Sequence, residues 1–172
     1  KLLLYGFLII FFASYGQTFF IALFNDDIKY YYSLSDGQFG LLYALATTLS
    51  SLLIVNFAKM IDYIDLRIYS LLITLGLLLP CFAIYFLPSN IIFLFMIIFT
   101  LRFFGQGAMN HAGITSMTRY FGKNRGKAIS VGNLGGMTGV MFLPFLIVYL
   151  SDYFSFKQIW LLCGLSLLVF LP

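Results

Sequence analysis

Six long apolar stretches constrain this chain more than any other feature of its sequence. A membrane-spanning helix needs roughly 20 apolar residues; five stretches are long enough, and the sixth runs to the end of the sequence. The apolar residues are continuous rather than alternating with polar ones, which predicts helices and not the strands of a barrel. The predicted spans are Leu2–Phe24, Phe39–Phe57, Ile68–Leu87, Ile91–Met117, Ala128–Leu150 and Phe156–Leu171.

Composition supports an all-α membrane protein. Charged residues make up 9% of the chain, whereas a soluble domain carries about 25%. The net charge of +4 therefore predicts no nucleic-acid partner; the expected surroundings are a lipid bilayer. Leu2–Phe24 is too long for the core of a signal peptide, and no small-residue cleavage site follows it.

The distribution of Lys and Arg predicts the orientation. Loops on one side hold seven of these residues, and loops on the other side hold Lys29 and Lys157. Because basic loops stay inside, the amino terminus is predicted to be cytoplasmic in a cell (inner) membrane. The seven predicted cytoplasmic residues are Lys1, Lys59, Arg67, Arg119, Lys123, Arg125 and Lys127.

Two loop sequences suggest an internal repeat. Asp62–Arg67 reads DYIDLR after the second span, and Asp152–Lys157 reads DYFSFK after the fifth. The copies start 90 residues apart (152 − 62), which is three spans, so they lie on opposite membrane sides. This spacing predicts a 3+3 inverted repeat, a common build of secondary transporters. Chance similarity is the alternative, because only two of the six residues are identical.

A polar stripe in the fourth span predicts a solute-binding site. Arg102, Gln106 and Asn110 are spaced four residues apart, which places them on one helical face near the membrane midplane. No Asp or Glu lies within any predicted span, so the partner of Arg102 is water, backbone carbonyls, an acid elsewhere or an anionic substrate. A structural arginine is the alternative interpretation.

Other polar or small residues within the spans extend this prediction. Ser14, Gln17 and Thr18 share one face of the first span, where they are predicted to bind the solute or to bond between helices. The fifth span contains GxxxG pairs, which predict close helix packing; they are formed by Gly132, Gly135, Gly136 and Gly139. Ser35 with Gln38, and Ser155 with Gln158, fit capping boxes.

Enzymatic chemistry has little support in the sequence. His111 is the only histidine, and neither G-x-S-x-G nor H-E-x-x-H occurs, which disfavours serine and metal-dependent hydrolysis. Cys81 and Cys163 lie in apolar runs, as packing residues do. No catalytic residue, cofactor or metal is therefore predicted.

Several motifs resemble the amino-terminal half of a major facilitator superfamily transporter. Ala58–Arg67, AKMIDYIDLR, is similar to the signature G-x-x-x-D-x-x-G-x-[RK], with Asp62 and Arg67 matching and Ala58 and Asp65 in place of glycines. RFFGQG (Arg102–Gly107) resembles the fourth-span motif of the family. RYFGKNRGKA (Arg119–Ala128) resembles the entry to the fifth span of monocarboxylate-type members, and SYGQTFFIALF (Ser14–Phe24) resembles the first span of bacterial members.

The resemblance implies twelve helices in two halves around a central site. Residues 1–172 would form the amino-terminal bundle, ending within the sixth helix, with the carboxy-terminal half of the same chain as its partner. Asp62 and Arg67 would belong to a gating loop. The expected function is secondary active transport of a small solute, an organic anion being favoured by Arg102, as a symporter or antiporter working by alternating access. Efflux of drugs or other solutes, and a six-helix channel or assembly subunit, are the alternatives.

Overall fold

The computed structural model of the protein describes residues 1–170, and their regular structure is helical. The all-α prediction is therefore confirmed for this part of the chain. A π-helical segment, Leu101–Met109, joins α6 to α7 without interruption. The α-helices are α1 (Leu2–Ala13), α2 (Thr18–Ala22), α3 (Asn25–Tyr32), α4 (Asp36–Ala58), α5 (Leu66–Phe86), α6 (Ile91–Thr100), α7 (Asn110–Phe121), α8 (Arg125–Ser151) and α9 (Phe156–Phe170).

Within residues 1–170, three helical stretches are long and apolar enough to cross a membrane: Asp36–Asp62, Leu66–Phe86 and Ile91–Ser151. The last has 61 residues and folds back on itself, because α7 packs against α8. Gly122, between these two helices, has φ of +43°, a conformation that glycine adopts without strain. Leu2–Gly16 and Phe156–Phe170 are shorter apolar helices. The six-span 3+3 arrangement remains a prediction.

The predicted helix starts are formed by side-chain caps. Ser35 Oγ accepts a hydrogen bond from the Gln38 N–H (3.3 Å), and Gln38 Oε1 accepts one from the Ser35 N–H (2.9 Å), which completes the capping box of α4. At α9, Gln158 Oε1 accepts the Ser155 N–H (2.9 Å) and also the Ser155 hydroxyl (3.1 Å). The Ser155 hydroxyl thus donates to the Gln158 side chain instead of accepting the Gln158 N–H, so only half of the capping box predicted at α9 forms.

The first predicted span, Leu2–Phe24, is not one continuous helix, and this part of the prediction is wrong. After α1 ends at Ala13, a 3-10 turn follows, and Gln17 adopts an extended backbone (φ −80°, ψ 152°) before α2 begins at Thr18. An extended residue leaves peptide groups of the flanking turns without intrahelical partners. Irregular backbone at membrane depth is tolerated only where protein or a polar cavity surrounds it.

Helix packing places the core around α1, α5 and the π segment. α1 lies against α7 and α8, α5 against α9, and α4 against α6 and the π segment. Trp160 of α9 is fully buried, with its ring edge-on to Phe20 (centroids 5.3 Å apart) and tilted against Phe24. Much of the surface of α4 and α8 is exposed and apolar, as expected for helices that face lipid or other membrane helices.

Candidate solute-binding site

Two glycines bring the interrupted first span and the π segment into backbone contact. A Cβ atom at Gly16 would lie 2.7 Å from Gly105 Cα and 2.9 Å from Gln106 N, and it would overlap the carbonyl oxygen of Leu101. A Cβ atom at Gly105 would lie 2.6 Å from Gly16 Cα. Because these neighbours are backbone atoms, they cannot move aside as a flexible side chain can. Glycine is therefore required on both sides of the crossing.

The π segment carries Arg102 and Gln106. π-Helical turns are rare and occur frequently at functional sites. Here the segment begins one residue before Arg102 and ends one residue before Asn110, so it spans most of the predicted polar stripe. The side chains of Leu101, Phe103 and Met109 are buried around it, which encloses the polar groups in protein.

Arg102 bridges the break in the first span. Its Nη1 donates to the Gly16 carbonyl oxygen (3.1 Å) and to Thr18 Oγ1 (3.0 Å). The Tyr43 ring of α4 lies over the guanidinium, with its centroid 5.4 Å from Cζ. Only 6% of Arg102 is exposed, and no carboxylate within residues 1–170 pairs with it. The positive charge is thus buried among neutral groups.

Buried polar atoms near Arg102 lack partners. Arg102 Nε and Gln106 Oε1 make no hydrogen bond to any described residue, and neither does Thr47 Oγ1 on α4, a helix that packs against the π segment. A buried donor or acceptor left unsatisfied costs about 1–3 kcal/mol. An acceptor presented to Arg102 Nε and a donor presented to Gln106 Oε1 would recover that energy.

The remaining predicted residues line a separate cavity of about 550 Å³ between α1, α7 and α8. Its polar groups come from Ser14, Gln17 and Asn110, together with Asn133 of α8. Apolar side chains complete the walls: Ile10, Phe19, Met137, Val140 and Met141. The cavity can offer hydroxyl and amide hydrogen bonds to a solute, but it contains no charged side chain.

The polar residues predicted to share one site therefore form two separate groups. Arg102 and Thr18 contact each other, while Ser14, Gln17 and Asn110 share the cavity. Gln17 precedes Thr18 directly, and its extended backbone turns the two side chains to different sides. Gln106 does not line the cavity, and its side-chain oxygen is buried.

Sequence reasoning missed Tyr43 and Asn133. Tyr43 lies in an apolar span, and nothing in its spacing marks it as a partner of Arg102. Asn133 had a signal: an amide inside the glycine-rich SVGNLGG of the fifth span. His111 is exposed and contacts Thr115, away from both groups.

The predicted gating loop is held by a residue that the sequence did not single out. Arg119 of α7 forms an ion pair with Asp62 and donates to the Ile61 carbonyl oxygen (3.0 Å). Arg67 is not paired with Asp62 in the structure; its backbone N–H donates to the Asp65 side chain (2.7 Å), which caps α5. The loop is thus linked to α7 rather than closed on itself.

The glycines of α8 meet α1 to different degrees. Gly132, Gly135 and Gly139 are buried, whereas Gly136 is partly exposed and lines the cavity. A Cβ atom at Gly135 would overlap the backbone carbonyl of Phe7, and one at Gly139 would overlap the Ser14 hydroxyl. This stripe therefore sets the distance between α1 and α8.

The fold and the site together define a multi-pass membrane protein with a buried cation at an interrupted span. The sequence profile of the Major Facilitator Superfamily matches residues 6–172, which is 167 of 172 residues (172 − 6 + 1). The chain belongs to the Major Facilitator Superfamily. Members of this family are transporters rather than enzymes, and membership implies a small-molecule substrate and a lipid bilayer as partners. No curated protein and no solved structure matches the chain.

Proposed function

We propose that the protein is the amino-terminal half of a secondary active transporter that moves a small organic anion by alternating access. The observation that carries the anion class is Arg102: a buried, uncompensated guanidinium beside a break in a spanning helix. Arginine suits a carboxylate because its planar fork donates two parallel hydrogen bonds. Burial strengthens this attraction, since water competes little for the charge.

The positions of the helix starts support the 3+3 repeat. Each of α1, α4 and α5 begins 89 or 90 residues before another helix. The pairs are Leu2 with Ile91 (91 − 2 = 89), Asp36 with Arg125 (125 − 36 = 89) and Leu66 with Phe156 (156 − 66 = 90). The stretch Ile91–Ser151 turns back between α7 and α8, so it counts as two crossings, and the six helix starts then correspond to six crossings.

The two segments of irregular backbone follow the same offset. Gly16–Gln17 in the first span and Gly105–Gln106 in the π segment are 89 residues apart (105 − 16), and the two glycines touch each other. Equivalent residues of two repeats meet only at the axis that relates them. The contact therefore supports a pseudo-two-fold axis between Gly16 and Gly105, at the polar centre of the bundle.

In the proposed arrangement the solute is shared between the two polar groups. Arg102, with Gln106 and Thr18 beside it, attracts the charged end. The cavity of Ser14, Gln17 and Asn110 hydrogen-bonds the remainder. Asp62 and Arg67 belong to the cytoplasmic gating loop, and the carboxy-terminal half of the same chain closes the site. The protein lies in the cell (inner) membrane with its amino terminus in the cytoplasm.

Uptake measurements with the full-length protein test the anion site. Arg102→Ala is expected to abolish carboxylate uptake while leaving membrane insertion intact. Arg102→Lys is expected to impair uptake although it keeps the charge, because an ammonium cannot reproduce the fork. The panel contains carboxylates, neutral sugars and cationic drugs, and Arg125→Ala, exposed at the start of α8, is the matched control. If Arg102→Ala transports carboxylates like the parent, Arg102 is structural.

Transport of an uncharged solute is the alternative, and one observation favours it. The 550 Å³ cavity is lined by hydroxyl, amide and apolar groups without Arg102. If neutral sugars are transported and carboxylates are not, this cavity is the main site. Transport of cationic drugs alone would instead favour the drug-transport alternative.

A further inference from the structure

Tyr43 completes a closed set of contacts around Arg102. Its hydroxyl donates to Thr18 Oγ1 (3.2 Å), and the same oxygen accepts the hydrogen bond from Arg102 Nη1. Its ring lies over the guanidinium carbon. Three residues from three separate elements (α4, α2 and the π segment) are thereby connected in a ring of interactions.

The chemistry of the three groups is mutually consistent. A threonine hydroxyl has two lone pairs, so Thr18 Oγ1 can accept from both Tyr43 and Arg102. An aromatic face attracts a cation, and the attraction is larger where water is excluded. The tyrosine hydroxyl therefore fixes where its ring lies, and the ring favours a cation at the position of the guanidinium.

The contacts use one nitrogen of the guanidinium. Both hydrogen bonds from Arg102 come from Nη1, which carries two of the five N–H donors. Nε has no partner among the described residues. The edge of the guanidinium that carries Nε and Nη2 can bind a carboxylate through two parallel hydrogen bonds.

We propose that Tyr43 is a positioning residue for anion recognition: together with Thr18 it holds Nη1 of Arg102, so that the Nε–Nη2 edge is presented to a solute carboxylate. Tyr43 and Thr18, though not Arg102 itself, line a cavity of about 280 Å³ between α2 and the start of α4, so these two members of the cluster lie next to open space. This inference rests on the proposed function, because it assigns Arg102 to the solute.

Conservative substitutions separate the hydroxyl from the ring. Tyr43→Phe keeps the ring and removes the hydrogen bond; Tyr43→Leu removes both; Thr18→Val removes the shared acceptor with little change in shape. Tyr30→Phe is the matched control, since Tyr30 is 89% exposed. The full-length transporter is reconstituted into liposomes and assayed with acetate, lactate and benzoate.

The expected result is a change in KM with little change in kcat. Tyr43→Leu should raise the KM for carboxylates by about 2- to 30-fold, the range that corresponds to a cation–π contact. Tyr43→Phe and Thr18→Val should raise it less, and Tyr30→Phe should not. In an Arg102→Lys background the Tyr43 substitutions should add little, because coupled residues are not additive.

The outcomes distinguish this inference from the proposed function. Parental KM values in Tyr43→Phe and Tyr43→Leu, with carboxylate uptake still lost in Arg102→Ala, would overturn the positioning role alone. Full carboxylate uptake in Arg102→Ala would overturn both. A loss of kcat with parental KM for acetate, lactate and benzoate would show that Tyr43 supports the fold instead of the anion; Tyr43→Phe decides this point if the leucine variant does not insert.

Discussion

Gly135 and Gly136 are neighbours on α8, yet they meet α1 very differently. A Cβ atom at Gly135 would overlap the Phe7 carbonyl oxygen, a backbone atom that cannot rotate away. At Gly136 the nearest atom is Ile10 Cγ2 at 3.2 Å, the end of a side chain that can shift. The sequence pattern gave both glycines the same role in close packing. It could not show which of them lies closer to α1, because that depends on the rotation of α8 against α1.

Alanine substitution at each of these glycines measures the difference. Gly135→Ala is expected to destabilise the bundle by about 1–3 kcal/mol, the usual cost of overpacking. Gly136→Ala should cost less, since only the Ile10 side chain must move. Thermal unfolding of the purified protein in detergent gives both values. A Gly135→Ala variant as stable as Gly136→Ala would show that α1 and α8 can separate without cost.

At the level of elements, the loop before α5 and the end of α7 are joined by Asp62 and Arg119. Both side chains are partly exposed, at 59% and 38%. An exposed ion pair contributes only about 0.2–1 kcal/mol, so the pair cannot hold the fold together. Its value in the proposed mechanism is positional, because it ties the gating loop to the helix that carries Asn110.

A double-mutant cycle tests this link. Asp62→Asn and Arg119→Gln should each slow transport without blocking insertion, and the double variant should be no slower than either single one, since both remove the same contact. Initial uptake rates and membrane expression are measured together. Lys123→Gln, in the exposed loop between α7 and α8, controls for loss of basic charge. Rates that multiply in the double variant, or parental rates in Asp62→Asn, would remove the case for gating.

Helix starts were readable from the sequence where local chemistry determines them. The box of Ser35 and Gln38 needs only residues three apart, and it forms as predicted. The break at Gln17 had no such signal: Ser14, Gln17 and Thr18 fit one face of a regular helix, whereas the close approach of Gly16 to Gly105 is a tertiary contact. Hydropathy reports that a segment is buried, not whether its backbone stays regular.

Part of the site could also be predicted from the local sequence. Arg102 stood out because a charge in an apolar run is costly, and its burial follows from the sequence. Its contacts did not follow, since Thr18 and Tyr43 reach it only after three elements fold together. The face predicted for Arg102, Gln106 and Asn110 assumed a regular α-helix, whereas Leu101–Met109 is π-helical. The extended residue at Gln17 divides the face predicted for the first span.

For the whole molecule, the uneven distribution of basic residues predicts how the bundle sits in the membrane. Ser89, between α5 and α6, is on the side with few Lys and Arg, whereas Asn124, between α7 and α8, lies in the most basic loop. Both residues are exposed, so a cysteine at either site can react. The native Cys81 and Cys163 are buried and should react slowly.

Cysteine labelling in intact cells therefore determines the orientation. A membrane-impermeant maleimide should modify Ser89→Cys from outside and should reach Asn124→Cys only after the membrane is permeabilised. The parent chain, with its two buried thiols, gives the background. An odd number of crossings separates the two loops in the predicted six-span arrangement, so their labelling must be opposite. Labelling of Ser89→Cys from the cytoplasm alone would invert the topology, and labelling of both sites from one side would contradict the number of spans between them.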